Sequence, residues 1–260
     1  MGAVIAHAAV TPIQREASLR SEQVSQLVLG ETARVEESKD VWRRVTADLD
    51  GYGGWIHAGY LLDVDAEAAA RWRESARGWS LGATLELDGV RVRLPLRARV
   101  ALAAERVVLP DGRAGALVDG AVPTQEEVIA GARGMTARHW ALERFAGAPY
   151  QWGGVTPWGV DCSGLVQTAF AARGMVVPRD SAVQAEVGTT VPADRIRPGD
   201  LLFFRGESGP AITHVAFAGE SDTLIHSTVA RGGVVQESWA PGTRGASLRE
   251  KLAVVRRVDG

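Results

Sequence analysis

The chain has one cysteine, Cys162, and it lies where the sequence can support nucleophilic chemistry. A loop rich in glycine, proline and tryptophan precedes it from Gly147 to Asp161, and the apolar residues from Leu165 to Phe170 have the spacing of a buried helix face. Cys162 is therefore predicted at a helix start. Unpaired N–H groups and the positive end of the helix dipole favour an anion there, so we expect a lowered thiol pKa, as a nucleophile requires.

A thiolate also needs a base, and two of the five histidines are suitably placed. His214 and His226 lie in short apolar runs, Thr213–Ala218 and Thr223–Ser227, that are predicted to be neighbouring strands. Adjacent strands can bring both rings together. A cysteine at a helix start that faces a strand-borne histidine, itself held by a third polar group, is the general arrangement of a cysteine peptidase.

Six short motifs occur in sequence between residues 137 and 258. They are Pro149-Tyr150-Gln151-Trp152-Gly153-Gly154, Asp161-Cys162-Ser163-Gly164-Leu165-Val166, Pro178-Arg179-Asp180-Ser181-Ala182-Val183-Gln184, Arg197-Pro198-Gly199-Asp200-Leu201, His214-Val215-Ala216 and Ile225-His226-Ser227. In this order they resemble the NlpC/P60 cysteine peptidases of bacterial cell-wall metabolism. The resemblance covers about half of the chain.

The resemblance implies a catalytic role for four residues. Cys162 would be the nucleophile, His214 the base and His226 the orienting third member, while Tyr150 would help the Cys162 N–H to stabilise the oxyanion. Other interpretations exist for these residue types: a lone cysteine is often a buried structural thiol, and a histidine in an apolar strand can be a core side chain. Zinc binding is disfavoured because no metal-ligand spacing is present, so no cofactor or metal is expected.

The run Arg179-Asp180-Ser181 carries the inference about substrate. After a proline, such a run is by default a turn or a helix cap. The resemblance changes that interpretation, because family members that recognise a free N-terminal L-alanine are similar to this chain in having an acidic residue after the arginine. Asp180 is accordingly expected to be a buried carboxylate that pairs with the substrate ammonium, a charge-assisted contact that a mid-chain peptide could not make.

Further substrate contacts follow from the resemblance alone. Asp161, Ser163 and Trp152 belong to the motifs around the nucleophile and are expected to line the substrate site. In relatives with a similar domain layout, an N-terminal barrel closes one end of the groove and supplies an acidic and a tyrosine side chain to the same amine. Tyr52 and Glu22 are the corresponding candidates here.

Composition limits the classes of partner. The 260 residues include 29 basic and 31 acidic side chains, for a net charge of −2 at pH 7. This balance offers no strongly basic face for nucleic acid or an anionic membrane. One cysteine excludes internal disulfides, and no run of about 18 apolar residues predicts a transmembrane helix. The expected partner is a murein peptide, and oligomeric state stays open.

The start of the chain bears on localisation. The segment Ala3–Val10 is apolar, but no basic residue precedes it and polar residues follow at once, which is too short and uncharged for a signal peptide. A first β-strand is the preferred interpretation. We therefore expect a cytoplasmic protein, or an exported one if the N-terminus was trimmed.

The chain length predicts two or three domains. Residues 1–65 and 66–122 are predicted to form short strands between turns, and the second segment weakly repeats the first. They resemble two bacterial SH3-like barrels, with residues 63–78 as the expected link. Thr124 and Glu127 form a capping-box signature that opens a third domain, 123–260. Helices followed by strands from Leu201 to Val258 indicate an α+β, papain-like catalytic domain with helices packed on an antiparallel sheet.

Together these features predict a cysteine endopeptidase that hydrolyses the γ-D-glutamyl-L-diamino acid bond of murein peptides with a free N-terminal L-alanine, in cell-wall peptide recycling. Two alternatives stay open at this point. One is an exported hydrolase that cuts intact peptidoglycan and uses the barrels as wall binders; the other is a non-catalytic wall-binding module. The identity of the diamino acid is also open.

Overall fold

The computed structural model describes residues 2–207 and 209–258, and two units divide the chain between Val128 and Ile129. The division falls within helix α2 (Gln125–Arg133), the second helix of the chain. At its start, the Thr124 N–H donates to Glu127 Oε2 at 2.8 Å and the Glu127 N–H donates to Thr124 Oγ1 at 3.3 Å, which confirms the predicted capping box.

Unit 1 begins with an antiparallel seven-stranded sheet. Its strands are β1 (Gly2–Ala6), β2 (Val10–Gln14), β3 (Gln23–Val28), β4 (Thr32–Lys39), β5 (Trp42–Ala47), β6 (Gly53–His57) and β7 (Leu61–Asp65), and their order across the sheet is β3-β2-β6-β5-β4-β1-β7. Alternating side chains bury one face in a core that includes Val4, Ile13, Leu27, Val45 and Ile56. The predicted N-terminal strand over Ala3–Val10 is confirmed as far as Ala6, and Val10 begins the next strand.

Helix α1 (Ala66–Ser75) follows the first sheet. Its alanine-rich sequence has high helix propensity, and the Asp65 carboxylate caps it by accepting the Ala68 N–H at 2.6 Å. Trp72 donates its indole N–H to the Gly30 carbonyl at 2.8 Å, which fixes the helix against the turn between β3 and β4.

A six-stranded sheet completes unit 1. It contains β8 (Gly78–Leu81), β9 (Thr84–Leu87), β10 (Val90–Arg93), β11 (Leu96–Ala103), β12 (Arg106–Val108) and β13 (Ala114–Asp119), in the order β10-β9-β13-β12-β11-β8. The two sheets take the place of the two expected SH3-like barrels, and neither closes into a barrel among the described residues. Closure would require the outer strands of each sheet to pair, and neither β3 with β7 nor β10 with β8 does so. The predicted boundary at residue 65 stays a prediction.

Unit 2 combines helices with a six-stranded antiparallel sheet, which confirms the predicted α+β class. Its helices are α3 (Ala137–Phe145), α4 (Cys162–Ala171), α5 (Ser181–Gln184) and α6 (Ser247–Lys251). A hairpin of β14 (Val155–Thr156) and β15 (Gly159–Val160) precedes α4. The sheet contains β16 (Thr189–Thr190), β17 (Leu201–Arg205), β18 (Ile212–Ala218), β19 (Thr223–Thr228), β20 (Gly233–Ser238) and β21 (Leu252–Arg257), in the order β16-β21-β17-β18-β19-β20.

The two faces of this sheet have different neighbours. Phe217 in β18 points toward α4, where its ring centroid lies 6.1 Å from that of Phe170. Residues at the alternate positions of the strands point to the other face and form a second core there, which includes Ala216, Leu202 and Leu224. Because side chains alternate along a strand, His214 belongs to this second face. None of the described helices is long and apolar enough to span a membrane.

A buried ion pair joins the two sheets of unit 1. Glu31, in the turn between β3 and β4, and Arg97, in β11, have side chains only 8% and 2% exposed. Arg97 Nε lies 2.8 Å from Glu31 Oε1, and Arg97 Nη2 donates to Oε2 at 3.1 Å. Glu31 Oε2 also accepts the Val28 N–H at 2.9 Å. Removal of either partner would leave a buried charge without its counter-ion.

We expect Arg97→Met to lower the free energy of unfolding by about 3–5 kcal/mol, because the Glu31 carboxylate would stay buried without a cation. Urea unfolding followed by tryptophan fluorescence measures the change. Arg71→Met is the matched control, since Arg71 pairs with Glu67 on the exposed face of α1, and its effect should stay within about 0.5 kcal/mol. Equal urea midpoints for the two variants would contradict the predicted contribution of the buried pair to the free energy of unfolding.

Candidate active site

Cys162 is the first residue of helix α4, as its sequence predicts. Asp161 caps this helix in extended backbone conformation, and its Oδ1 accepts the Gly164 N–H at 2.7 Å. All ten residues of α4 are buried. The backbone N–H of Val215, the residue after His214 in β18, donates to the Cys162 sulfur. This contact brings the helix start and the strand of the candidate base together.

The glycines near Cys162 allow close backbone packing. A Cβ at Gly164 would lie 2.1 Å from the Gly154 carbonyl oxygen, and a Cβ at Gly154 would lie 2.3 Å from the Gly159 carbonyl oxygen. Any side chain at either position would force the loop away from the helix. The glycine-rich approach thus has a steric cause: it lets the loop and the β14–β15 hairpin lie directly on the first turn of α4.

Arg179 is buried and binds the helix cap. Its Nη2 donates to Asp161 Oδ2 at 2.6 Å and its Nη1 donates to Oδ1 at 3.0 Å, while Nη1 also donates to the Ser163 hydroxyl at 2.8 Å. The Arg179 side chain is 1% exposed. These contacts hold Asp161 and Ser163, the residues on either side of Cys162. A direct substrate contact by Arg179, Asp161 or Ser163 stays a prediction.

The two predicted histidines are adjacent. His214 Nε2, in β18, lies 2.8 Å from His226 Nδ1, in β19. The two ring planes are inclined at 67° to each other. Ser227 follows His226 and donates its hydroxyl to the Val160 carbonyl at 2.6 Å, which ties β19 to the loop before Cys162. The remaining histidine of unit 2, His139, is exposed on α3.

Glu237 extends this chain of polar contacts, and sequence reasoning missed it. Its Oε1 lies 2.9 Å from His226 Nε2, and its Oε2 lies 3.5 Å from Arg244 Nε. The strand that holds it, β20, was not predicted. A signal for the strand was available in the β-branched pair Val234-Val235 directly after the Gly232-Gly233 turn, but no local pattern marks Glu237.

The expectation of a lowered thiol pKa at Cys162 is wrong. The structure raises it to about 12, first because the side chain is buried and second because the Asp161 carboxylate lies beside it. The backbone N–H groups of Val215 and Ser163, which donate to the sulfur, act in the opposite direction, as does the Arg179 guanidinium. The helix start is already occupied by the anionic cap, so the dipole does not act on the thiol alone.

Burial also keeps both histidines neutral. It lowers the pKa of His214 to about 4, partly opposed by the negative charge of Asp161. It lowers that of His226 to about 3, with further lowering from His214 and the Arg244 cation. Near neutral pH the Cys162 thiol and both imidazoles are therefore neutral. His214 has the protonation state that a general base needs.

Tyr150 lies close to the nucleophile, in the segment that forms an isolated bridge with Val160. Its phenol is half-buried, and its pKa is raised, mainly by burial and then by the nearby Cys162 and Asp161. The phenol therefore keeps its proton and can donate a hydrogen bond to a developing oxyanion. Whether it does so stays a prediction.

Asp180 and Ser181 lie at the start of the short helix α5. Asp180 is exposed, so the expectation of a buried carboxylate is wrong. The physical reason is backbone alternation: the extended chain points Arg179 into the cap network and the next side chain outward. Gln184 closes α5 onto α4 by donating to the carbonyls of Ser163 and Pro178 at 3.0 and 2.7 Å.

Three further candidates have described positions but untested roles. Trp152 is 55% exposed in the loop before the nucleophile. In unit 1, Glu22 Oε2 lies 2.7 Å from Arg15 Nε, and Tyr52 follows a turn in which its N–H donates to Asp50 Oδ1 at 3.0 Å. The proposed substrate contacts of Trp152, Tyr52 and Glu22 stay predictions. Across the described residues, no group of three or more His, Cys, Asp or Glu side chains could hold a metal ion.

Two family models match the chain. The NlpC/P60 family matches residues 147–250, and the bacterial dipeptidyl-peptidase SH3 domain matches residues 14–61. The first range includes Cys162, His214, His226 and Glu237. The second lies within the seven-stranded sheet of unit 1.

Curated relatives are similar to about a third of the chain. A γ-D-glutamyl-L-lysine dipeptidyl-peptidase of Bacillus subtilis is 45% identical over 84 residues, which cover 32% of this chain and 28% of the relative. A probable endopeptidase NlpC of Escherichia coli is 38% identical over 92 residues, or 35% of this chain and 60% of the relative. The chain thus spans less than two thirds of the length of either relative.

A solved structure shares the fold over almost the whole chain. It is an NlpC/P60 family protein from Bacillus cereus, with a TM-score of 0.77 and 22% sequence identity, and the match covers 98% of this chain and 99% of the other.

The raised thiol pKa predicts how Cys162 reacts in the substrate-free protein. We expect its alkylation rate by iodoacetamide to rise about tenfold per pH unit between about pH 6 and 9, because only the thiolate reacts and its fraction grows in that proportion below the pKa. Cys162 is the only cysteine, so mass spectrometry reports a single site, and Cys162→Ser gives the blank. A rate that is constant from about pH 5 to 8 would show a resting thiolate–imidazolium pair instead.

Proposed function

The chain contains an NlpC/P60 domain and a bacterial SH3 domain, and on that premise we propose that it is a cysteine endopeptidase of murein peptides, cleaving the γ-D-glutamyl-L-diamino acid bond. The observation that carries the proposal is a pair of histidines 2.8 Å apart on adjacent strands, together with the Val215 N–H, next to His214 in the chain, that donates to the Cys162 sulfur at the start of α4. A nucleophile, a base and a group that orients the base are the parts that acyl transfer needs.

In the proposed acylation step, His214 takes the thiol proton as the Cys162 sulfur attacks the γ-carbonyl carbon of the D-glutamyl residue. The carbonyl oxygen becomes an oxyanion. The Cys162 backbone N–H, at the first position of α4, has no partner within the helix and can donate to it, and the Tyr150 phenol supplies a second donor. The raised pKa of Tyr150 supports this role because the group stays protonated.

Collapse of the tetrahedral intermediate breaks the bond to the diamino acid. The His214 imidazolium gives its proton to the leaving amine, and a thioester joins Cys162 to the γ-carbonyl carbon. His214 then takes a proton from water, the resulting hydroxide attacks the thioester, and the thiol recovers its proton as the acid product leaves. A neutral His214 at the two steps in which it takes a proton, from Cys162 and from water, is consistent with its lowered pKa.

Substrate choice is inferred from Asp180 and from the relatives. The relative from Bacillus subtilis is named for the γ-D-glutamyl-L-lysine bond. In this chain the Asp180 carboxylate lies at the start of α5, which Gln184 fastens to the nucleophile helix through the Ser163 carbonyl. A carboxylate held in this way suits the ammonium of a free N-terminal L-alanine. The released product would be L-alanyl-γ-D-glutamate.

A requirement for a free amine would define the biological setting. Peptides of intact peptidoglycan have their L-alanine nitrogen joined to muramic acid, so an enzyme that reads the amine acts on released peptides. We accordingly propose a role in cell-wall peptide recycling, in the cytoplasm. Efficient cleavage of intact peptidoglycan would instead favour the exported hydrolase.

Cys162→Ala and His214→Ala should each lower kcat by at least about a thousandfold, because acyl transfer would lose its nucleophile or its base. The measurement is the release of diamino acid from L-alanyl-γ-D-glutamyl-diaminopimelate, with circular dichroism as the test of folding.

His139→Ala is the matched control, since His139 is exposed on α3 and should leave turnover unchanged. A folded Cys162→Ala protein that retains wild-type turnover would refute the proposed mechanism. Absence of turnover in the wild type on every murein peptide tested would favour a binding module.

Asp180→Asn should lower kcat/KM for the free-amine peptide by up to about fivefold, because an exposed ion pair contributes up to about 1 kcal/mol. Cleavage of the N-acetyl peptide should change by less than about twofold, since that substrate presents no charge to Asp180. Both substrates are compared in the wild type and the variant.

Asp194→Asn is the control for a general loss of surface charge, because Asp194 is also exposed in unit 2. If the wild type cleaves the free-amine and N-acetyl peptides equally well, Asp180 does not recognise the N-terminal amine of the substrate. The proposed role in cell-wall peptide recycling would then be contradicted.

A further inference from the structure

Glu237 contacts His226, the member of the histidine pair that is not the proposed base. In the pairing of β19 with β20, Glu237 is opposite Leu224 and Val235 is opposite His226. This register puts the Glu237 side chain on the same face of the sheet as His226. The carboxylate is 13% exposed, and its Oε1 reaches His226 Nε2 at 2.9 Å.

The two hydrogen bonds that link Glu237, His226 and His214 allow only one assignment of donors and acceptors. A carboxylate only accepts hydrogen bonds, so His226 must donate through its Nε2–H. A neutral imidazole carries one N–H, and His226 Nδ1 therefore accepts. Its partner at 2.8 Å, His214 Nε2, must be the donor. His214 then has its lone pair on Nδ1.

We propose that Glu237 is a positioning residue that sets the tautomer of both histidines and thereby keeps the His214 Nδ1 lone pair ready for the Cys162 proton. The inference rests on the proposed function, because the proton in question is that of the proposed nucleophile. In the reverse arrangement His214 would carry its proton on Nδ1 and could not accept another there. The carboxylate also compensates the positive charge that His214 gains during the reaction.

Arg244 helps to hold the carboxylate in place. Its Nε lies 3.5 Å from Glu237 Oε2, and its side chain is about half exposed. A cleft of about 260 Å³ opens beside His214, His226 and Glu237. The other charged side chains along it are Arg205, Glu207, Arg244 and Lys251. His226 itself is only 2% exposed, and Glu237 is the described carboxylate that forms an ion pair with it.

Imidazole nitrogen chemical shifts test the proposal, because the protonated and unprotonated ring nitrogens are well separated in ¹⁵N NMR spectra. In the wild-type protein labelled with ¹⁵N-histidine, we expect both His214 and His226 as the Nε2–H tautomer at neutral pH. In Glu237→Leu the side chain cannot accept a hydrogen bond, so His226 should shift toward a mixture of tautomers. kcat should fall roughly ten- to a hundredfold with KM changed less than twofold, as for other orienting partners of histidine.

Gln236→Leu is the matched control, since Gln236 is the exposed neighbour in β20 and should leave spectra and turnover unchanged. Glu237→Gln retains the size and one acceptor oxygen, and should keep the Nε2–H tautomers and part of the activity even if Glu237→Leu fails to fold. Unchanged tautomers in a folded Glu237→Leu protein would overturn the proposal, whatever the activity, and so would a tautomer shift that leaves kcat at the wild-type value. If Glu237→Leu does not fold, loss of the Nε2–H tautomers in Glu237→Gln would overturn it.

The spectra need no substrate. An inactive wild-type protein would refute the proposed function, and the tautomer comparison would still decide the role of Glu237.

Discussion

A buried ion pair between Arg179 and Asp161 holds the geometry on which the candidate active site depends. Asp161 uses both carboxylate oxygens, accepting the N–H of Gly164 in the helix, that of Gly153 in the preceding loop and the Arg179 guanidinium. Loop, helix start and the segment before α5 therefore meet at one side chain. Removal of either charge would leave the other uncompensated in the interior, at a cost of about 3–5 kcal/mol. This network holds the helix start that carries Cys162, and the Val215 N–H contacts the sulfur directly.

The same burial determines how charge can move in the site. Cys162, His214 and His226 are all neutral at rest because desolvation penalises their charged forms. Charge separation is thus confined to the reaction itself, when the N–H groups of Val215 and Ser163 already point at the sulfur. Fixed dipoles of this kind stabilise developing charge without reorganisation. In the proposed mechanism, Glu237 complements the positive charge that His214 would acquire.

Much of this arrangement is predictable from the sequence, and the failures have identifiable physical causes. The spacing of apolar residues after Cys162 indicates a helix, and the short runs around His214 and His226 indicate adjacent strands; both patterns are local. The sign of the thiol pKa shift is not local, because it depends on how deeply the fold buries the sulfur and on the charge of the cap. Glu237 was missed for a related reason: its role depends on the pairing register of β19 with β20. Closure of a barrel likewise depends on outer strands far apart in sequence.

Arg179 and Asp180 show how one short motif can connect specificity with chemistry. In extended backbone, consecutive side chains point in opposite directions, so Arg179 enters the buried network and Asp180 faces outward. Asp180 is covalently next to Arg179, Arg179 is bound to Asp161, and Asp161 is covalently next to Cys162. Only one non-covalent link, the bidentate ion pair, therefore separates the proposed amine-reading carboxylate from the sulfur. Because planar guanidinium–carboxylate pairs fix both distance and orientation, a substrate held at Asp180 would be held at a defined distance from the nucleophile, which is the condition that efficient attack on one chosen bond requires.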